Sequence, residues 1–485
     1  MRKPVLLLGI ALSGCSLAPK YQQPGLPVPA TYSAGAPAAG TSAPLAAELG
    51  WRDFFIDTRL HGLIERSLEH NRDLAQAYAR IEQARAQYRI QESQRLPALD
   101  ATGNVTSSRR PLSSLGLGDA AGGGSAAIKQ EQYTTSVGVS AFELDLWGRV
   151  RNLAEAERQR YLATVEGARA FRLSLIAQVA STWFEIRAGE ERIRLAEQTL
   201  DGRREGVRIA KKRLDAGVTS TVDYDQAVQL LTQAETELAG IRRTTDVARN
   251  LLDVLVGGPL DRELLADTPR GPQVRAIEAG LPSDLLRNRP DILQAEYALR
   301  GANADIGAAR AAFFPSTSLT SSLGFVSPAL GALFDKDNHT WSYGGGINLP
   351  IFDWGRRNAQ VKISRARADE LTAAYQRTVQ GAFQEVSDAL VGRQRYAEQI
   401  VAQTTAVEAQ RRLARTARLR YDNGIAIYLE VLDAERNLFT GSQQLIQLRT
   451  VELQNAVSLY VALGGGMAAP PAETNTAGNS PTASP

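Results

Sequence analysis

Residues 193–217 read IRLAEQTLDGRREGVRIAKKRLDAG, and this stretch decides the fold. Ile193, Leu200, Val207 and Leu214 stand seven residues apart, and Val179 and Ile186 extend the series upstream. No proline interrupts residues 149–214. An apolar residue every seven positions over several heptads predicts a helix that supercoils left-handed against its neighbours. At 1.5 Å per residue such a helix measures about 100 Å. A globular enzyme has little use for a rod of that length.

The rod stops at Asp215-Ala216-Gly217, where glycine supplies the left-handed residue that ends a helix. Ser220 and Asp223 have capping-box spacing and predict the start of a second helix. In it Leu231, Ala234, Leu238, Ile241, Thr245, Ala248, Leu252 and Leu255 alternate steps of three and four. The pattern then recurs. Trp147-Gly148-Arg149, Gly217 and Val256-Gly257-Gly258 return 207 residues later as Trp354-Gly355-Arg356, Gly424 and Leu463-Gly464-Gly465. Asn71-Arg72-Asp73 and Asn288-Arg289-Pro290-Asp291 each open a helical stretch, closed by Pro97 and Pro315 respectively, each 24 residues after the Asp. Three landmarks in one register predict an internal duplication, each half a helix, two strands, a long helix, a turn and a helix. The second turn, Ile425-Ala426-Ile427, has no Ser or Thr cap, so its helix start is less defined.

Four segments alternate apolar and polar residues. Leu99, Ala101, Gly103 and Val105 alternate with Asp100, Thr102, Asn104 and Thr106; Leu319, Leu323 and Phe325 with Thr320, Ser322 and Gly324. Ile347, Leu349 and Ile351 alternate with Gly346, Asn348 and Pro350, and Phe142, Leu144 and Leu146 share a face of the segment from Tyr133. Such alternation suits membrane-barrel strands, although a soluble hairpin would look similar. Gly- and Ser-rich loops join each pair, residues 116–125 and 327–338. Four strands cannot close a barrel wide enough for solutes, and lipid does not tolerate an open sheet edge. The chain must therefore oligomerise; three copies would supply twelve strands. The reading is an α+β membrane protein with four transmembrane β-strands and long antiparallel coiled-coil helices per protomer.

The chain divides into residues 1–14, a signal peptide; 15–50, a lipidated extended leader; 51–258, the first repeat; 259–280, a linker; 281–465, the second repeat; and 466–485, a disordered tail. The signal peptide ends in Leu12-Ser13-Gly14-Cys15, which looks like a bacterial lipobox, and Ser16 where an Asp would signal inner-membrane retention favours outer-membrane sorting. Cys15 is the only cysteine, so the chain has no intrachain disulfide and no Cys-rich metal site. His61, His70 and His339 are scattered. The net charge of +3, with basic and acidic residues interspersed, gives no support for a nucleic-acid partner. No phosphate-cradling loop, HExxH or serine with a partner base is present, and the expectation is no enzyme, no metal and no cofactor beyond a covalent lipid on Cys15.

Several runs resemble the outer-membrane-factor family of tripartite efflux systems, TolC-like, nearest its OprM/NodT-type lipoprotein branch. They are the lipobox, Trp51-Arg52-Asp53-Phe54-Phe55, Glu143-Leu144-Asp145-Leu146-Trp147-Gly148-Arg149, the run from Leu281-Pro282-Ser283-Asp284 through Arg289-Pro290-Asp291, and Gly307-Ala308-Ala309-Arg310-Ala311-Ala312-Phe313-Phe314-Pro315. The resemblance spans nearly the whole chain. It implies a homotrimer that forms a 12-stranded β-barrel and an α-helical periplasmic tunnel in the outer membrane of a Gram-negative cell. It also implies a periplasmic membrane-fusion adaptor and an inner-membrane efflux transporter, commonly of the resistance-nodulation-division class, as partners in expelling antibiotics, solvents and other toxic small molecules.

By the same resemblance, Leu429 and Asp433 lie at a periplasmic constriction. Arg420, Tyr421, Asp215 and Asp223 form a latch between neighbouring helix pairs, and Gly217, Val218, Gly424 and Ile425 form the adaptor-docking tip. Three Asp433 carboxylates in a ring would repel one another and attract cations, and Leu429 would form an apolar collar. The plainer alternatives are that Asp433 is solvated, that Arg420 caps a helix end and that the glycines are turn chemistry alone. A duct for secreted protein or metal ions, and a poreless structural lipoprotein, are rival readings of the whole chain; only Met1 and Met467 speak to Met-rich metal handling.

Overall fold

The computed structural model describes residues 16–29, 32, 45–111, 127–260, 272–278 and 285–466. Cys15, the 116–125 loop and the 467–485 tail lie outside the described residues. The elements are α1 (Trp51–Phe54), α2 (Thr58–His70), α3 (Arg72–Ser93), β1 (Asp100–Pro111), β2 (Ala127–Leu144), α4 (Arg149–Asp215) and α5 (Thr221–Leu255). There follow α6 (Leu285–Asn288), α7 (Pro290–Ala311), β3 (Ser316–Ser327), β4 (His339–Asn348), α8 (Arg356–Asp422) and α9 (Tyr428–Ala462). The halves match in length: α3 and α7 have 22 residues, α4 and α8 have 67, α5 and α9 have 35. No described helix is long and apolar enough to cross a membrane.

The chain forms two compact units. One comprises Ile81–Thr164 and Ala295–Tyr375 with the described residues up to Pro24. Its centre is a four-stranded antiparallel sheet of order β1-β2-β3-β4. Cross-strand partners share a face, so the register sorts the side chains. Ala101 pairs with Val137, Val137 with Leu323 and Leu323 with Trp341, and these stand on one face with Val105, Leu319, Tyr343 and Ile347. The other face carries Thr102, Ser136, Ser322 and Ser342; the hydroxyls of Thr102 and Ser136 lie 3.0 Å apart and those of Ser322 and Ser342 2.7 Å apart. A bulge between Val139 and Phe142 shifts the β2–β3 register. It brings Phe142 opposite Leu319, keeping both on the apolar face. The expected strand through Ile351 is shorter than its alternation suggests: β4 ends at Asn348, opposite Ser316, where β3 runs out.

In the same unit an extended segment is laced along the helices. Ser16 donates to Asn152 (2.9 Å), Arg310 to the Leu17 carbonyl (3.2 Å), Asn303 to the Pro19 carbonyl (2.7 Å), Tyr21 to Glu296 (3.1 Å) and Gln23 to the Tyr375 hydroxyl (2.9 Å). Gly307 makes room, since a Cβ there would stand 2.7 Å from the Ala18 methyl. Burial and the neighbouring Glu296 carboxylate push the Tyr21 phenol up to about 12.

The second unit comprises the described residues of Gly25–Arg80, Val165–Gln294 and Gln376–Pro485. Its helices bury the seam the heptads mark: on α5, Leu238, Ile241, Thr245, Ala248, Leu252 and Leu255 are buried. The repeated Asn-Arg motif also has a purpose that its position before a helix does not disclose. Ser67 and Asn71 both donate to the Leu255 carbonyl, at 2.7 and 3.0 Å, and Arg289 donates to the Ala462 carbonyl at 3.0 Å. Leu255 and Ala462 are equivalent residues, so each motif satisfies a carbonyl left over at a coiled-coil C-terminus. Residues 272–278 of the expected linker are not structureless, because Val274 bridges Phe55 and Glu278 bridges Leu45.

Candidate functional site

The candidate site lies where α4 turns into α5 and α8 into α9, all within the second unit. Both turns are built alike. Gly217 (φ 68°) and Gly424 (φ 71°) take the left-handed conformation, and the amides of Gly217 and Val218 donate to the carbonyls of Leu214 and Arg213, both at 2.9 Å. Gly424 and Ile425 repeat the pattern on Tyr421 and Arg420 at 2.9 and 2.8 Å. These paired bonds are the Schellman closure. Val218 and Ile425 point into solvent. The expected capping box is not formed, for Ser220 occupies the N-cap without a side-chain bond and Asp223 instead accepts from the Thr219 hydroxyl. Ile427 precedes α9 without a side-chain cap.

The expected latch residues do not meet one another within the chain. Asp215 accepts from Lys211 at 2.7 Å, and that bond raises the Lys211 ammonium above its usual range. Arg420 faces Glu430 at 3.3 Å, and Asp433 pairs with Arg436 at 3.0 Å. Leu429 is 43% exposed. Tyr421 does join the two hairpins: its hydroxyl accepts from Arg213, whose guanidinium lies 5.3 Å from the centre of its ring.

Three side chains bring these hairpins together that sequence reasoning did not single out. Tyr428 packs its ring 5.0 Å from Tyr421, and its hydroxyl rests on Gly206, where a Cβ would stand 2.0 Å away. Burial, then Glu435, raise the Tyr428 phenol above its ordinary range. Arg203, only 5% exposed, lies 3.6 Å from Glu435. Arg213 is the third. Above them Ala196, Leu200, Leu238, Ile241 and Phe439 form an apolar cluster that contains residues of both hairpins. Arg203 had a signal: it stands three residues after Leu200, on the apolar seam.

The described residues hold no group of His, Cys, Asp and Glu that could bind a metal. What the elements do present is a sheet with one apolar and one polar face, neither edge strand paired on its outer side among the described residues, and paired helical hairpins closed by polar contacts. That combination defines the wall of a membrane channel with a long helical extension. The profile of the outer membrane efflux protein family matches residues 63–258 and 281–465. The toluene efflux pump outer membrane protein TtgC of Pseudomonas putida is 40% identical over 472 residues, covering 96% of each chain. The cation efflux system protein CusC of Escherichia coli is 38% identical over 467 residues, covering 95% of this chain and 97% of that one. The open state of the Neisseria gonorrhoeae MtrE outer membrane channel superposes with a TM-score of 0.83 at 36% identity, covering 93% of this chain and 99% of that one. The chain belongs to the outer membrane efflux protein family. It is an outer-membrane channel, the conduit component of an efflux pump.

Proposed function

We propose that three copies of the chain close one 12-stranded barrel and one helical tunnel, through which antibiotics, solvents and other toxic small molecules leave the cell. The observation that carries this reading is the four-stranded sheet whose β1 and β4 edges have no partner among the described residues and whose apolar and polar residues segregate by face. An apolar face suits lipid only if the backbone edges are satisfied by further strands. The inner wall would then be lined by small hydroxyls and glycines.

In this reading the tunnel is passive, and its energy comes from an inner-membrane transporter of the resistance-nodulation-division class, linked by a periplasmic adaptor. The adaptor meets Gly217, Val218, Gly424 and Ile425 at the helix tips. Leu429 and Asp433 form the constriction, and Arg420, Tyr421, Asp215 and Asp223 hold it by contacts between neighbouring hairpins. A lipid on Cys15 tethers the chain to the outer membrane; the docking of Ser16 beside Asn152, three residues into α4, supports an anchor close to the sheet.

Planar-bilayer conductance tests the conduit and its gate together. The unaltered protein passes little current, and Asp433→Ala with Arg420→Ala passes several-fold more. Silence in both would overturn the channel, and equal large currents would overturn the gate. The relative named for cation efflux favours a second cargo class, metal cations. Comparing a deletion strain's sensitivity to toluene, unrelated antibiotics and metal salts separates the two.

A further inference from the structure

The joint that closure requires is already made once inside the chain. β2 ends the first repeat's sheet portion and β3 begins the second's, and beyond the bulge they pair Phe142 with Leu319 and Leu144 with Thr317. Just past β2, Trp147 stacks on Phe314 at 4.6 Å and donates its indole N–H to the Pro315 carbonyl at 3.0 Å. Trp147 has its counterpart 207 residues on, in Trp354. Pro315 lies four residues after the end of α7, and Pro97 lies four after the end of α3. The elements of the internal joint are therefore present a second time, at the two ends of the sheet.

There the Trp354 ring meets its near neighbour Phe352 edge-on at 4.7 Å and stays open to solvent. Trp354 and Ile351 are 90% exposed, and Leu96 and Leu99 are 71% exposed. Leu349-Pro350-Ile351 carries on the alternation of β4 without a ladder, because β3 offers no residue beyond Ser316. Trp354 is also the only non-glycine among the described residues with a positive φ, 55°. An exposed indole held in that conformation at a bare sheet end is the half of a joint that awaits its other half.

We propose that Trp354 of one copy seats on the neighbouring copy's Leu96 and donates its indole N–H to the neighbouring copy's Pro97 carbonyl. The strands between copies then take the register of the internal joint, Ile351 opposite Leu99 and Leu349 opposite Ala101. This rests on the proposed closure of the sheet by further copies and adds to it the residues and the register. Equivalent elements of a duplicated chain face each other at both joints, so one packing solution serves both, and a head-to-tail contact of this kind closes into a ring. Leu96 in place of Phe314 gives the indole an aliphatic seat instead of a ring.

Cysteine pairs read the register directly, since residues opposed in antiparallel strands have Cα atoms about 4.5–5.5 Å apart, within disulfide range. In the full chain in outer membranes, Leu144→Cys with Thr317→Cys, the internal pair, closes on oxidation without changing the apparent mass. Leu99→Cys with Ile351→Cys shifts the chain from its single-chain mass to multiples of it on a denaturing gel. Leu99→Cys with Ile347→Cys, four residues out of register, stays at the single-chain mass. Trp354→Phe keeps the packing and loses the donor, so its oligomer dissociates at a lower temperature than the unaltered one and a higher one than Trp354→Ala. If the internal pair closes while the Leu99/Ile351 pair stays unlinked in a chain that still runs as a trimer without heating, the register is wrong and closure stands. If no oligomer forms at all, both fall.

Discussion

Gly206 and Tyr428 show how a single atom sets the helix tips. Gly206→Ala puts a methyl where the Tyr428 hydroxyl lies, so the Tyr428 side chain must swing off α4 or the first turn of α9 must shift with it, an overpacking of at most about 1–3 kcal/mol. The expected outcome is a channel with higher resting conductance; conductance equal to the unaltered protein would show that this contact does not hold the tips. Arg203 and Glu435 are asymmetric partners. Replacing the buried guanidinium by an apolar side chain removes a charge that is costly to bury, whereas Glu435→Gln leaves it without its counter-charge. Thermal melting should therefore fall more for Glu435→Gln than for Arg203→Met. Tyr21 gives a pH signature. Its phenol is raised from 10.0 to about 12, so the folded form holds its proton more tightly than the unfolded one. The contribution is intact below pH 10 and disappears as pH rises through about 12. A tyrosinate absorbance titration, with Tyr21→Phe subtracted, should show one group ionising late; a group ionising near 10 contradicts the docked geometry.

The elements divide into those the sequence spells out and those it does not. Apolar spacing made α4 and α5 legible, because residues that set the period, among them Val179, Ile186 and Leu200 on α4 and Leu238, Ile241 and Leu252 on α5, are buried. Strand faces were legible for the same reason, since Leu323 and Ser322 alternate whichever neighbours they have. Strand ends were not: β4 stops at Asn348 because a ladder needs a partner, and alternation carries no information about partners. Arg203 and Tyr428 escaped because periodicity marks which positions face a neighbour and says nothing of which polar group fits there. The expected latch drew on resemblance, and within one chain its carboxylates bind local partners, Asp215 the Lys211 ammonium one turn away and Asp223 the Thr219 hydroxyl. The two sheet faces make a direct comparison. Leu323→Arg should block insertion, at a cost of about 2–4 kcal/mol near mid-membrane, while Ser322→Arg inserts normally. Equal insertion of both would reverse the assignment of the faces. At the start of α4, Asp145 accepts from the amides of Val150 and Arg151, so Asp145→Ala should cost about 1 kcal/mol of helix stability in a chemical melt.

For the whole molecule, the contact nearest the carboxyl end among the described residues is that of the Gly466 amide with the Ala46 carbonyl. A chain ended after Gly466 should assemble and conduct as the full one does, whereas a chain ended before Tyr460 loses the ring that stacks 4.2 Å from Phe54 and should fail to accumulate. The duplication was visible in the chain as a fixed offset, but its reason is architectural: one joint between repeats inside the molecule trains the same elements for the joint between molecules. The strap from Ser16 to Gln23 carries a different consequence. Sewn down at five points along its path, it has no slack to act as a leash. An acyl group on the residue just before it would enter the leaflet at one address on the rim of the channel, fixing how deep the duct floats and which way it stands.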